Sequence, residues 1–413
     1  MKNIIPKHAR WPHVNDPIFN ISGLAKKAIQ EKGAEKVINS TLGSLMDDSG
    51  KLLVFDTVID SLKSLDQQFI ASYAPISGRV DYLDRVIDLC FGPYKPKAYI
   101  KAVASPGGTG AVRNAIWNFT NPNDTVLCHD WFWNPYQTMC DEFGRNLVTY
   151  KLFDDNYNFN FEDFKDKFLN CVEEKDRILV IFNSPGNNPT GFSISDEDWD
   201  RILSLVKKAA QDENTAITLL LDVAYIEFAG FNDEQKAFFS KFENLPENVF
   251  IAVAFSMSKS YTAYGLRAGA LIGLSSSPEI IEDFYYAASH SARSNWSNIN
   301  HSAMKVLVDL FDDPEKSKAY QKELDASKQL LHQRAQVFVA SAEEVGLDIL
   351  PYFGGFFISI PCENSAQIVE DLMQDDLYMV GLKKGLRFAV CAVNEKKCRL
   401  APKLIKAALD RHK

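Results

Sequence analysis

The sequence predicts an α/β fold with a mostly parallel sheet, and three observations support this. Apolar, β-prone runs at 177–182, 216–221 and 249–255 show almost no polar alternation, the mark of strands buried on both faces. Between 100 and 273 such runs alternate with helical segments, the pattern of strand–helix–strand units. Each run ends in glycines, hydroxyls or charged residues, and α/β proteins bind ligands beyond the carboxyl ends of their strands. At 413 residues the chain is too long for one ordinary core, so two packed domains are expected.

In chain order, Pro6, Pro12 and Pro17 punctuate an extended arm before a helix at 23–32. Val37-Ile38-Asn39 leads to Gly43, and Asp47-Asp48-Ser49-Gly50 is a turn. Helices are expected at 56–70 and 81–91, separated by the break Tyr73-Ala74-Pro75-Ile76-Ser77-Gly78. A strand at 100–104 ends in Ser105-Pro106-Gly107-Gly108-Thr109-Gly110 and a helix at 111–119. Further strands are expected at 126–128 and 146–152, and helices at 162–174 and 196–211. After Leu274 the pattern turns helical, interrupted at 289–298, with helices at 303–310 and 314–342. Short strands at 345–350, 355–360 and 387–392 suit a smaller α+β domain.

Composition excludes several roles. A net charge of −9 argues against a nucleic-acid surface, which needs a basic patch. No window approaches the roughly 20 apolar residues that span a bilayer. The first residues lack the apolar core of a signal peptide. Seven cysteines form no C-x-x-C pair and fall mostly in apolar runs, so reduced, buried thiols and a cytoplasmic protein are expected.

The strand ends carry the chemistry. The 249–255 run delivers Ser256, Ser258, Lys259 and, eight residues after the lysine, Arg267. Hydroxyls and a guanidinium hold phosphate, while an amine attacks a carbonyl, so the set suits a phosphorylated ligand with a reactive aldehyde. An extended backbone would put both hydroxyls on one side. Gly107-Gly108-Thr109-Gly110 forms a second phosphate cradle, in which free N–H groups and the helix dipole face an anion. Asn183 to Gly191 is a rigid, turn-rich loop. Asp222 closes an apolar strand, where a lone carboxylate is costly unless paired. Arg387, flanked by apolar residues, is a candidate buried cation that calls for a carboxylate, structural or from a ligand.

Taken together, these motifs resemble the pyridoxal-phosphate-dependent aminotransferases of the aspartate aminotransferase superfamily, in order and spacing over nearly the whole chain. Gly107-Gly108-Thr109-Gly110, Asn188-Pro189-Thr190-Gly191, Asp222-Val223-Ala224-Tyr225, Ser256-Met257-Ser258-Lys259, Arg267 and Arg387 carry the match. The resemblance implies a seven-stranded sheet between helices, plus a smaller domain from both chain ends. The corresponding boundaries are 1–50 for the arm and part of the small domain, 51–305 for the cofactor domain and 306–413 for the small domain. It implies that Lys259 holds the cofactor covalently and moves the proton, and that Asp222 keeps the pyridine nitrogen protonated. Asn188 and Tyr225 would bind the ring's phenolic oxygen, and Trp133 would stack on the ring. Gly107, Gly108, Thr109, Ser256, Ser258 and Arg267 would hold the phosphate, joined by Tyr73 from a second subunit, which implies a homodimer. Arg387, with Gly43 and Asn188, would bind the substrate's α-carboxylate. Arg293 would reach across the dimer to a distal carboxylate, which implies 2-oxoglutarate as acceptor.

Two positions depart from the family pattern. Tyr136 stands where its aspartate enzymes carry a histidine supporting the buried aspartate, and Trp296 replaces a tyrosine beside Arg293. Both leave general transamination intact, and nearby aromatics (Phe19, Trp131, Trp133, Trp296, Phe357) also suit an aromatic donor. The expected activity is two-step, ping-pong transfer from an aspartate-type or aromatic L-amino acid to a 2-oxo acid. A lyase or decarboxylase with the same cofactor is the alternative enzyme, and a non-enzymatic regulator the third reading.

Overall fold

A computed structural model describes residues 4–12 and 17–412. Among the described residues eleven strands, β1 (Ile38–Ser40), β2 (Tyr99–Ser105), β3 (Thr125–His129), β4 (Asn146–Tyr150), β5 (Arg177–Asn183), β6 (Ala216–Asp222), β7 (Val249–Ser256), β8 (Gly269–Ser275), β9 (Phe357–Pro361), β10 (Leu377–Leu382) and β11 (Gly385–Ala389), form two sheets. The larger has seven strands in the order β2-β8-β7-β6-β5-β3-β4. Within it β8 runs antiparallel to both β2 and β7, and the remaining pairs are parallel. Every residue of β7 and β8 is buried, as unbroken apolar composition requires of strands covered on both faces. The smaller sheet, β1-β10-β11-β9, takes β1 from the N-terminal part and its other strands from the C-terminal part. The α/β architecture with a second, mixed sheet is therefore as expected.

Several local expectations are corrected. The first helix spans Pro17–Lys32, six residues more than its clearest amphipathic stretch. The segment 56–70 is two helices, Asp56–Lys63 and Gln67–Ala71, because the Asp66 carboxylate caps the second by accepting from the backbone of Gln68 and Phe69. Residues 289–295 do not interrupt a helix but finish one, Pro278–Asn295. There Ser294 and Asn295 bond back to the Ser291 carbonyl, while Ile281, Phe284, Ala288 and Ala292 bury the opposite face. The segment 345–350 forms no strand; its Leu347 and Leu350 side chains fill the core from a loop. The last expected strand is Gly385–Ala389 followed by a helical turn, and β10 was not anticipated.

The 31-residue helix Pro314–Glu344 spans both sheets' surroundings, and Arg334 fastens it. This side chain is 1% exposed, and it donates to the carbonyl oxygens of Met46 and Cys391 and to Asp48. Arg334→Leu should take the donor from the Met46 carbonyl, while the Cys391 carbonyl keeps the Met46 N–H, and cost about 1–3 kcal/mol in urea unfolding. Asp48 is 69% exposed, so Asp48→Asn should cost less than about 1 kcal/mol. Equal losses would place the anchor in the surface ion pair instead.

Candidate active site

The polar ends of β2, β5, β6 and β7 meet beside the small sheet. After β7 the chain enters the helical turn Met257–Ser260, with Ser256 as its cap, its Oγ accepting from the Ser258 N–H at 3.2 Å. This corrects the extended reading of Ser256-Met257-Ser258: a helical turn, and not strand alternation, sets the two hydroxyls. Ser258 Oγ accepts from Arg267 Nη1 at 3.1 Å. Arg267, itself in the left-handed region at φ +52°, turns its guanidinium toward Pro106 and Gly107.

The glycine cluster is the first turn of the helix Gly107–Phe119, and not a loop before it, so its free N–H groups belong to the helix terminus. Gly107 has φ +71°, and a Cβ there would come within 2.7 Å of Arg267 Nη2. A Cβ on Gly108 would meet Ser256 at 3.3 Å. Thr109 is exposed at this end. Helix terminus, two serines and a guanidinium thus stand together, brought close to the backbone where the glycines lack a Cβ, and make the donor set of an anion site.

Lys259 Nζ donates to the Gly43 carbonyl at 2.7 Å, with the rings of Tyr264, Tyr225 and Phe356 5.0–5.5 Å away. Burial pulls its amine from 10.5 down to about 8, and the charges of Arg387 and Arg267 add to this. Gly43 is packed so closely that a Cβ would lie 2.5 Å from the Phe357 ring. That ring also carries the Arg387 guanidinium at 4.3 Å.

Asp222, 5% exposed, ends β6. Its Oδ2 accepts from the Tyr136 hydroxyl at 2.6 Å and its Oδ1 from the Ala224 N–H at 3.2 Å. Burial raises its carboxyl above the ordinary value. Tyr225 accepts from Asn188 Nδ2 at 3.4 Å. Asn188 Oδ1 in turn accepts from Arg387 Nη1 at 3.3 Å, and Arg387 Nη2 donates to the Thr41 carbonyl at 2.8 Å. Both of these acceptors are neutral oxygens.

Trp131 is a core residue at 7% exposure, while Trp133 stays partly exposed and meets the Tyr136 ring edge-on at 5.4 Å. Tyr73, 91% exposed, and Arg293, bonded to Ser297 Oγ, do not join the cluster of their own chain. Sequence reasoning gave no role to Asn183, Thr41, Tyr264 or Phe356. Asn183 bonds the Asp222 carbonyl and accepts from the Asn188 N–H at 2.7 Å, so it hangs the loop on the strand. Its place at the end of a buried strand was the available signal. Among the described residues no cluster of His, Cys, Asp and Glu could hold a metal, and no helix is long and apolar enough to cross a membrane.

A lysine amine of depressed basicity, a buried carboxylate, a phosphate-type cradle and a carboxylate-binding fork can hold a charged ligand and move a proton on it. The family model described as Aminotransferase class I and II matches residues 35–404. An aminotransferase from Anaerococcus prevotii superposes with a TM-score of 0.98 at 47% identity, covering 99% of this chain and 100% of that one. The mitochondrial aspartate aminotransferase of Schizosaccharomyces pombe is 27% identical over 260 residues, 62% of this chain and 56% of that protein. An aromatic-amino-acid aminotransferase from Burkholderia pseudomallei, solved with pyridoxal phosphate covalently bound, shares the fold. Its TM-score is 0.78 at 23% identity, covering 97% of this chain and 98% of that one.

The burial of Lys259 predicts early titration. Acylation of its amine in cofactor-free protein, followed by mass spectrometry from pH 6 to 11, should show a midpoint near 8. A midpoint at about 10.4, that of a solvated lysine, would show that the amine is not desolvated.

Proposed function

The chain belongs to the class I and II aminotransferase family, and from that premise we propose that it moves an amino group from an aspartate-type or aromatic L-amino acid to a 2-oxo acid such as 2-oxoglutarate. The two half-reactions share one site, with pyridoxal phosphate as cofactor. The convergence of Lys259, Asp222, Arg387 and the Gly107–Phe119 helix terminus is the observation that carries this reading.

The residues fit the cofactor. The helix terminus at Gly107 and Gly108, with Arg267, Ser256 and Ser258 against it, suits a phosphate, with Thr109 adding a hydroxyl. Asp222 would face the ring nitrogen, Asn188 and Tyr225 the phenolic oxygen, and Trp133 the ring. When bound, pyridoxal phosphate supplies an aldehyde for the amino group and a ring that withdraws electrons from the bond being broken.

The chain's own groups do the rest. Arg387 is held by Thr41 and Asn188 and stacked on Phe357 before substrate arrives, so its fork binds the α-carboxylate with little ordering cost. Gly43, whose missing Cβ leaves room for the Phe357 ring beneath Arg387, would line that carboxylate's place. Lys259, at about 8, is poised to take a proton from the substrate's α-carbon and would return it across the nitrogen, at the carbon that the cofactor's aldehyde supplies. Tyr225, Tyr264 and Phe356 keep water from its amine.

The protein acts as a homodimer in which Tyr73 and Arg293 complete the partner's site. Both are exposed in one chain, and Ile70, Ile76 and Val80 beside Tyr73 are exposed apolar side chains that a second copy would cover.

Purified protein with pyridoxal phosphate, given a panel of amino donors and 2-oxoglutarate, should form glutamate, and Lys259→Ala should abolish it. Release of ammonia or carbon dioxide without an acceptor would replace transfer with lyase chemistry. Arg293→Leu should cost acidic substrates about 2–5 kcal/mol in kcat/KM and leave aromatic ones nearly unchanged. Equal losses would remove Arg293 from the distal carboxylate.

A further inference from the structure

A cavity of about 540 Å³ lies beside the cofactor domain's strand ends, within the size range of small-molecule pockets. Of the residues given a role above, Ser256 lines it, whereas Lys259, Asp222, Asn188 and Arg387 do not. Its walls are the end of the helix Val80–Phe91, the chain from Val223 to Lys236, the turn after Lys259 and the first half of the helix Pro314–Glu344.

The inner wall is charged. Lys236 and Lys328, both buried, converge on the one carboxylate of Glu227, at 2.9 Å and 3.3 Å. Lys236 also donates to the Leu89 carbonyl at 3.2 Å and meets Asp233 at 2.9 Å. Among the described residues Glu227 is the one hydrogen-bond partner of Lys328, whose ammonium carries three donors. A buried ammonium is costly unless it is paired and bonded, so this wall favours an added carboxylate.

The rim has the opposite sign. Asp325 stands three residues before Lys328 on the same helix, so the two are neighbours on one face, with Cβ atoms about 5–6 Å apart. Among the described residues no ion pair joins them. Lys328 turns inward to Glu227, while Asp325 is exposed and accepts from Gln321 Nε2 at 2.9 Å. Asp233 and Asp88, the latter paired with Lys95 at 3.0 Å, complete the acidic rim. The lining also includes the apolar side chains of Phe231, Phe311 and Leu324.

We propose that this cavity is a second ligand site, for a free α-amino acid with an apolar or aromatic side chain. The ligand's carboxylate meets Lys328, its ammonium meets Asp325, and its side chain lies against Phe231, Phe311 and Leu324. A simple anion would have to pass the acidic rim, and a simple amine would face two lysines, so a dipolar ligand matches both signs. The site goes beyond amino transfer and would stand without it.

Binding of L-phenylalanine would be measured by equilibrium dialysis against the full chain loaded with pyridoxamine phosphate, a form that does not react with amino acids. Arg387→Leu removes the carboxylate fork of the transfer site, so one equivalent per chain should still bind in that variant. Adding Lys328→Met should weaken this binding roughly tenfold or more, the worth of a hydrogen bond between charged groups. Adding Asp325→Asn instead, at an exposed position where folding is not at stake, should weaken it roughly two- to fivefold. The same change should leave 3-phenylpropionate, which lacks the ammonium, bound as before. Loss of all L-phenylalanine binding in Arg387→Leu alone would leave the transfer site as the sole one and overturn the proposal. If either added substitution leaves the dissociation constant unchanged, the proposal fails equally. Should Lys328→Met not fold, Asp325→Asn decides alone: a weakening shared by L-phenylalanine and 3-phenylpropionate, or absent from both, overturns it.

Discussion

A carboxylate at the end of a strand buried on both faces is the group this fold has most difficulty accommodating, and the surroundings of Asp222 are arranged around it. Its side chain takes a hydroxyl from the helix Pro135–Phe143 and an N–H from its own loop. Its backbone carbonyl takes the Asn183 amide from β5, and the same Asn183 receives the Asn188 N–H. Asn188 then reaches Tyr225 and, across to the small sheet, Arg387. One buried charge is thus linked through side-chain bonds to both sheets. Deep inside protein an unpaired polar group costs far more than a bond returns, so such a chain of bonds favours one arrangement over others.

The second constraint is an excess of positive charge. Arg267 and Arg387 both act on Lys259, which faces Asp222, in a chain whose overall charge is −9. A cleft of one sign set in low-dielectric walls concentrates ligands of the opposite sign. Phosphate and carboxylate groups are what such a cleft draws in. Burial keeps the lysine from adding its full charge: at about 8 its amine is partly neutral near pH 7, which also makes it a base. The same desolvation therefore eases the crowding of cations and tunes the proton carrier.

Most of the site could be read from the chain because its parts are local. Strand ends, the glycine turn and the loop at 183–191 each combine residues within about ten positions, and local backbone preference dictates their form. Failures came where packing outweighed local composition. The polar run 289–298 looked like a break, but an apolar face on the opposite side keeps residues to Asn295 helical. The apolar run 345–350 looked like a strand, yet its leucines plug the core without a ladder. The strand Leu377–Leu382 was passed over although it lies second in the small sheet, because its pairing with β1 joins residues more than 300 positions apart.

The sequence by itself determined the α/β class, the mostly parallel sheet, the order of the chemical motifs and the amine–carboxylate–guanidinium set, since each depends on short-range periodicity or residue type. Only the tertiary structure decided how those groups are tied together. It showed that the glycines open a helix and do not precede one, and that Ser256 caps a helical turn. It also showed that Arg387 meets neutral oxygens from two distant segments, and that Tyr136 is the partner of Asp222. Those relations join residues 86 to 346 positions apart for the last two, and no local pattern encodes a distance closed only by folding.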